Sequence, residues 1–248
     1  MKNRLLYYSI GIIIFHLIWY VAAITIETPA LVDPILVYNK VFFNFDSYIL
    51  VHTLASLKRI FISVLISMSI ALILTLLMNE FKIVNNILKP LVYLLYPIPK
   101  TALLPILMTI QGLGNASKIT LLVLIIVFQT IIYLQDALDN VKEDDISVLK
   151  SLGATRLQTM RHVKLPSILS SIIASIKVNI AGAFGILFLI ETYGSDLGLG
   201  YYIQDAWNKI NYVDMYYGIV ISGFVCLFIF LIIDTLENKL IKRGYYNR

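Results

Sequence analysis

The run EDDISVLKSLGATRLQTMRHVKLP, Glu143–Pro166, separates two long apolar segments and decides how the rest of the chain is read. Its first half predicts a short helix with Val148, Leu149 and Leu152 on one face. Asp144 and Asp145 precede it, at the end where the helix dipole favours negative charge. Gly153 stops that helix, because glycine takes the left-handed C′ conformation without a Cβ clash. A second helix starts at once, since Thr155 and Gln158 have capping-box spacing; Arg156, Met160, Arg161 and Lys164 follow. Pro166 suits the first turn of a further helix, where its missing N–H is unpaired in any case. A plain solvated basic loop has no need of Leu149, Leu152, Leu157 and Met160 on short helical turns; a surface carrying such residues docks onto a partner.

Composition sets the class. The 248 residues are 59% hydrophobic and 14% charged, with a mean hydropathy of +0.83, far from an ordinary soluble domain. The expected fold is an all-α integral membrane protein, a single transmembrane domain over 1–248. About six transmembrane helices are expected near 5–26, 60–78, 91–110, 119–134, 167–190 and 215–233, with the polar loop, about 139–166, between the fourth and fifth. The first run is too long for a signal peptide and lacks a clear small-x-small cleavage site, so it is read as retained. Ile35–Leu50 is expected outside the membrane or along its surface.

The charges give an orientation. With the amino terminus in the cytoplasm, thirteen cations fall inside: Lys2, Arg4, Lys82, Lys89, Lys142, Lys150, Arg156, Arg161, Lys164, Lys239, Lys242, Arg243 and Arg248. Five fall outside, namely Lys40, Lys58, Arg59, Lys118 and Lys209. Both termini and the Gly153 loop are therefore expected in the cytoplasm. Cations spread between apolar spans, rather than gathered on one face, argue against nucleic acid as the explanation of the net charge of +5.

The third span is irregular. Tyr96-Pro97-Ile98-Pro99-Lys100-Thr101-Ala102-Leu103-Leu104-Pro105 puts three prolines and a lysine where lipid is expected. Non-helical backbone at that depth is tolerated only inside protein or along a water-filled cavity, and a lysine there is a functional candidate. The alternative is that Pro97 and Pro99 end a span and Lys100 snorkels to the interface. Lys177 and Glu191 are further charges within or at the end of spans, and Glu191 reads equally as a pathway contact or as an ordinary carboxylate at a span end. The chain has no Gly-x-x-x-x-Gly-Lys-[Ser/Thr] loop, no metal-ligand spacing among His16, His52 and His162, and no recognisable catalytic set. An enzyme is not expected. The lone Cys226 precludes an internal disulfide.

Gly153, nine residues, then Val163-Lys164-Leu165-Pro166 resembles the cytoplasmic EAA loop of ABC-importer permeases, whose pattern is Glu-Ala-Ala, three residues, Gly, nine residues, Ile-x-Leu-Pro. Ser147, Val148 and Leu149 stand at the Glu-Ala-Ala positions. Pro97-Ile98-Pro99 with Ala102 and Pro105, then Gly112-Leu113-Gly114 and Ser117-Lys118-Ile119, is similar to the nitrate/sulfonate/taurine branch of that family. So are Leu31-Val32-Asp33-Pro34 and the stretch from Glu191 through Gly194, Gly198, Leu199, Gly200 and Tyr201 to Ile203. The resemblance implies that Leu149, Leu152, Gly153, Ala154, Thr155, Arg156, Leu165 and Pro166 form the loop that fits an ATPase subunit. It implies that the segment with Pro97, Pro99, Lys100 and Pro105 faces the substrate pathway, with Lys177 and Glu191 as further candidates. It also implies a pair of ABC ATPase subunits, which carry ATP and Mg while this chain carries no cofactor, and an extracytoplasmic substrate-binding protein. A second permease chain, more often identical than not, and a bacterial cytoplasmic membrane complete the expectation. The substrate expected is a small anion such as a sulfonate or nitrate, or a related small nutrient. An ion-gradient-driven secondary transporter or channel is the alternative, with Lys100, Lys177 and Glu191 as its pathway charges.

Overall fold

The computed structural model describes residues 2–240; Lys242, Arg243 and Arg248, and the side chains of Lys2 and Arg4, lie outside what is described. The described residues contain helices and no strand. In order they are α1 (Lys2–Ile26), α2 (Pro34–Phe43), α3 (Tyr48–Glu80), α4 (Lys82–Leu95), a 3-10 turn at Lys100–Leu103, α5 (Leu104–Gln111), α6 (Asn115–Asp139), α7 (Glu143–Ser151), α8 (Arg156–Thr159), a π turn at Met160–Lys164, α9 (Leu165–Ser167), α10 (Leu169–Glu191), α11 (Leu199–Asn208) and α12 (Tyr212–Leu240).

Among the described residues five helices are long and apolar enough to cross a membrane, over 9–26, 48–80, 115–139, 169–191 and 212–239. The third expected span is instead a broken pair, Lys82–Leu95 and Lys100–Gln111, bent by 87°. Pro97 and Pro99 fall in the break, and Pro105 occupies the first turn of α5, where proline suits a helix. The helix that holds the second expected span begins at Tyr48, well before Ile60, and takes in the end of the Ile35–Leu50 stretch. Of that stretch, α2 remains separate, and its ten residues are too few to cross.

The described residues form two compact units, one of 2–56 and 196–224, the other of 57–195 and 225–240. In the first, the Asp33 carboxylate accepts from the Ile35 N–H at 2.7 Å and Pro34 opens α2, a cap and a first-turn proline in sequence. The Trp19 indole donates to the Val32 carbonyl at 3.0 Å and stacks on Tyr216. Lys40 pairs with Asp214. The start of α11 has no cap of its own: the Leu199 N–H donates to Ser56 Oγ at 2.8 Å, and His52 Nδ1 lies 3.1 Å from Gly198.

In the second unit α3 presents a stripe of small residues at every fourth position: Ser63, Ser67, Ala71 and Thr75, all fully buried. Lipid supplies no hydrophobic drive between helices, so close approach over small residues and hydrogen bonds does that work. Ser63 and Ser67 reach the carbonyls of Ile119 and Val123, both at 3.4 Å, and Gln135 donates to the Thr75 carbonyl at 3.2 Å. Asn179 on α10 donates to Thr130 on α6 at 2.8 Å. Around these bonds pack Ile60, Leu104, Leu121, Leu122, Ile126, Leu187 and Ile190.

Candidate functional site

The Glu143–Pro166 loop is built as its residues dictate. In α7 the three acidic residues occupy the first turn. The helix ends in a Schellman motif: the Gly153 N–H bonds the Lys150 carbonyl and the Ala154 N–H bonds the Leu149 carbonyl, both at 3.0 Å. Gly153 has φ of +78°, so the left-handed position expected of it is the one it takes. The capping box also forms, with the Gln158 N–H donating to Thr155 Oγ1 at 3.3 Å and the Thr155 N–H to Gln158 Oε1 at 2.7 Å.

Pro166 stands in the first turn of α9, the position expected of it, and it also bears on the turn before. A proline ring in a helix clashes with the carbonyl four residues before it, here that of His162. The chain widens into the π turn Met160–Lys164, closed by the Leu165 N–H on the Met160 carbonyl. Thr159 and Met160 face inward, whereas Leu152 and Leu157 are each 77% exposed and Val148 is exposed beside them. Leu149, Ala154, Leu165 and Pro166 are half-buried, and Arg156 is exposed. Two short helices thus hold large apolar side chains away from the bundle.

Lys100, Lys177, Glu191 and Lys118 each have polar partners within the helices, and each a different set. Lys100 is buried, and its ammonium donates to the carbonyls of Leu95 at 2.9 Å, Tyr96 at 2.8 Å and Ile98 at 3.3 Å. An ammonium has three donors, and three carbonyls take them. It also lies 5.0 Å from the Phe128 ring centre and 5.8 Å from that of Tyr96. Lysine here closes the C-terminal end of α4 and the proline turn, where carbonyls lack helical partners. Lys177 on α10 pairs with Asp234 and, at 2.6 Å, with Glu237 on α12.

Glu191, the last residue of α10, is 0% exposed and pairs with Arg59 of α3, whose Nε donates to Asn115 Oδ1 at 2.7 Å. Lys118 is also buried and bonds the carbonyls of Leu113 at 2.6 Å and Gly194 at 2.7 Å, so it joins the turns before α6 and after α10. On sequence alone Arg59 and Lys118 count only among the five outer cations. The sequence does hold a signal for them: a glutamate in so apolar a segment needs a buried cation, and its partner lies 132 positions away. Among the described residues no group of His, Cys, Asp or Glu is placed to hold a metal ion.

Comparisons with known proteins agree with this architecture. Residues 56–243 match the family described as binding-protein-dependent transport system inner membrane component. The taurine transport system permease protein TauC of Escherichia coli is 26% identical over 195 residues, 79% of this chain and 71% of that protein. A probable ABC transporter permease protein of Haemophilus influenzae is 26% identical over 242 residues, covering 97% of this chain and 99% of its own. The formylaminopyrimidine transport permease protein ThiX of Halalkalibacterium halodurans is 26% identical over 225 residues, 90% of each chain. The family match spans well over half of the sequence and contains both the Gly153 loop and the broken span. The chain is an ABC-importer permease and belongs to the binding-protein-dependent transport system inner membrane component family.

Proposed function

We propose that this permease forms the substrate pathway of an ATP-driven importer and couples it to a separate ATPase through Glu143–Pro166. The observation that carries the reading is the pair Leu152 and Leu157, large apolar side chains 77% exposed on short helices whose angle is set at Gly153. Exposed apolar anchors on a rigid local frame suit a groove on a partner. On this reading ATP and Mg act on the ATPase pair, a binding protein delivers the substrate, and a second copy of the chain completes the pathway. The broken span supports a pathway role for the stretch around Pro97 and Pro99, because irregular backbone is tolerated at membrane depth only in protein or beside water.

Purification of the tagged chain from its native membrane tests the coupling reading. The ATPase is expected to copurify with the wild type and to be lost from Leu152→Glu/Leu157→Glu, which remains membrane-inserted. Retention of the ATPase by the double variant removes these residues from the interface. Gly153→Val makes a finer test. No atom within 4 Å crowds an added Cβ, so the effect is the strain of positive φ, about 1–2 kcal/mol, or a factor of roughly 5–30 in the population of the docking geometry. ATPase binding is expected to weaken by that factor, and unchanged binding refutes the hinge.

The substrate class follows from the relatives' printed names: taurine is a sulfonate, and formylaminopyrimidine is a small ring compound. We propose a small nutrient of one of these two kinds, with a sulfonate first. Uptake by the reconstituted complex of labelled taurine against a pyrimidine decides between them. Uptake driven by an ion gradient without ATP supports the secondary-transporter alternative instead.

Orientation is proposed with both termini in the cytoplasm. Burial of Arg59 and Lys118 removes two of the five cations counted on the outer side, which sharpens the asymmetry toward the loop. In a Cys226→Ser background, a cysteine at exposed Ser151 is expected to label only from the cytoplasm and one at exposed Asn208 only from outside. Labelling of both from one face overturns this topology.

A further inference from the structure

We propose that Asn79 and Glu80, the last two residues of α3, are positioning residues that clamp the Glu143–Pro166 loop to the helical bundle; the functional consequence rests on the coupling reading above. Lys164 Nζ donates to Asn79 Oδ1 at 2.5 Å across 85 positions of sequence, in a partly buried setting. Arg156 reaches Glu80 at 3.5 Å. The two bonds are unequal. Arg156 is 81% exposed, and an exposed pair at that distance contributes little. Lys164–Asn79 is charge-assisted and half-shielded, so it carries most of the clamp.

The surrounding chemistry favours cations at this place. The C-terminal end of α3 carries the negative end of its dipole, to which Glu80 adds a full charge. Lys164 is the last residue of the π turn that Pro166 imposes, so the proline sets the backbone from which the ammonium reaches Asn79. Arg156 is the first residue of α8, next to the Thr155 cap. The loop is therefore gripped at both ends of its second helical segment, while Leu152 and Leu157 project outward. A docking surface transmits a push only if its frame does not swing freely. Peptide links to α6 and α10 leave such a segment rotational freedom; a third attachment, to α3, removes it.

The test uses the full chain in lipid nanodiscs, in a Cys226→Ser background, with a spin label on Ser151→Cys, and with and without the ATPase that copurifies with it. Asn79→Leu is expected to raise label mobility in the chain alone. In the complex it is expected to lower the maximal rate of Mg-ATP hydrolysis about tenfold, as loss of a hydrogen bond to a charged group implies, with KM for ATP and ATPase affinity unchanged. Asn79→Asp, whose carboxylate still accepts from the ammonium, is expected to keep both properties near wild type. Lys164→Met should match Asn79→Leu, and the double variant should be no worse than either single one. Unchanged mobility in Asn79→Leu overturns the clamp. Raised mobility with unchanged hydrolysis overturns its role in coupling. Absence of any bound ATPase from the wild type overturns the docking reading itself, and the label measurement still decides the clamp.

Discussion

Glu191→Leu is expected to destabilise the folded chain by about 3–5 kcal/mol, because it leaves the Arg59 guanidinium buried without its carboxylate. The pair lies where α3 meets α10; Glu191 is fully enclosed and Arg59 nearly so. Removing one charge takes away the attraction that offsets the other's desolvation, and the Asn115 amide oxygen is a neutral acceptor that does not replace a carboxylate. Removing both charges is a different experiment. Arg59→Met/Glu191→Leu takes the penalty away together with the attraction, so the double variant is expected to recover most of the loss. Glu191→Gln, which keeps an acceptor but no charge, should fall between. Reversible unfolding of the purified chain in mixed micelles measures all four. A Glu191→Leu chain as stable as wild type refutes the structural reading, and a double variant no better than the single refutes the pairing.

The loop was legible because its determinants are local. Gly153 and Thr155 act on backbone within a few residues of themselves, so the Schellman ending and the capping box follow from spacing alone. The span that became α3 was not. Lys58 and Arg59 count as outer cations on sequence alone, yet Arg59 is neutralised by Glu191, and in the same helix His52 meets Gly198. Both partners lie more than a hundred positions away, and no local pattern announces them. The stripe Ser63, Ser67, Ala71 and Thr75 was available in principle, since small residues four apart mark a face for close helix packing. The three prolines signalled irregular backbone correctly but not a bend of 87°. On sequence alone Lys100 reads either as a pathway charge or as a snorkelling cation, whereas the carbonyls at the break give it a nearer purpose.

That nearer purpose sets the expected outcome for Lys100→Met: a loss of roughly 1.5–3 kcal/mol in folding stability, the range for hydrogen bonds to a charged group. Two effects oppose. Methionine spares the chain the desolvation of an ammonium, which is favourable. It also strips the donor from the carbonyls of Leu95, Tyr96 and Ile98 and the cation from the Phe128 and Tyr96 rings, at the dipole-negative end of α4. The losses win because the break at Pro97–Pro99 takes these carbonyls out of a continuous helix: Pro99 lacks the N–H that would turn to the Leu95 carbonyl, which keeps only the Ile98 N–H at 3.3 Å. The bent pair is then expected to loosen at its corner, with faster proteolysis between Leu95 and Thr101 in the purified chain. Substrate turnover falls only as far as folded protein falls. The competing expectation, a lysine that meets the substrate, predicts the reverse pattern: normal stability with altered turnover or charge preference. Thermal unfolding and uptake of taurine, measured on the same reconstituted preparation, separate the two. Wild-type stability with changed uptake returns Lys100 to the pathway; lost stability with unchanged uptake per folded molecule assigns it to the bend.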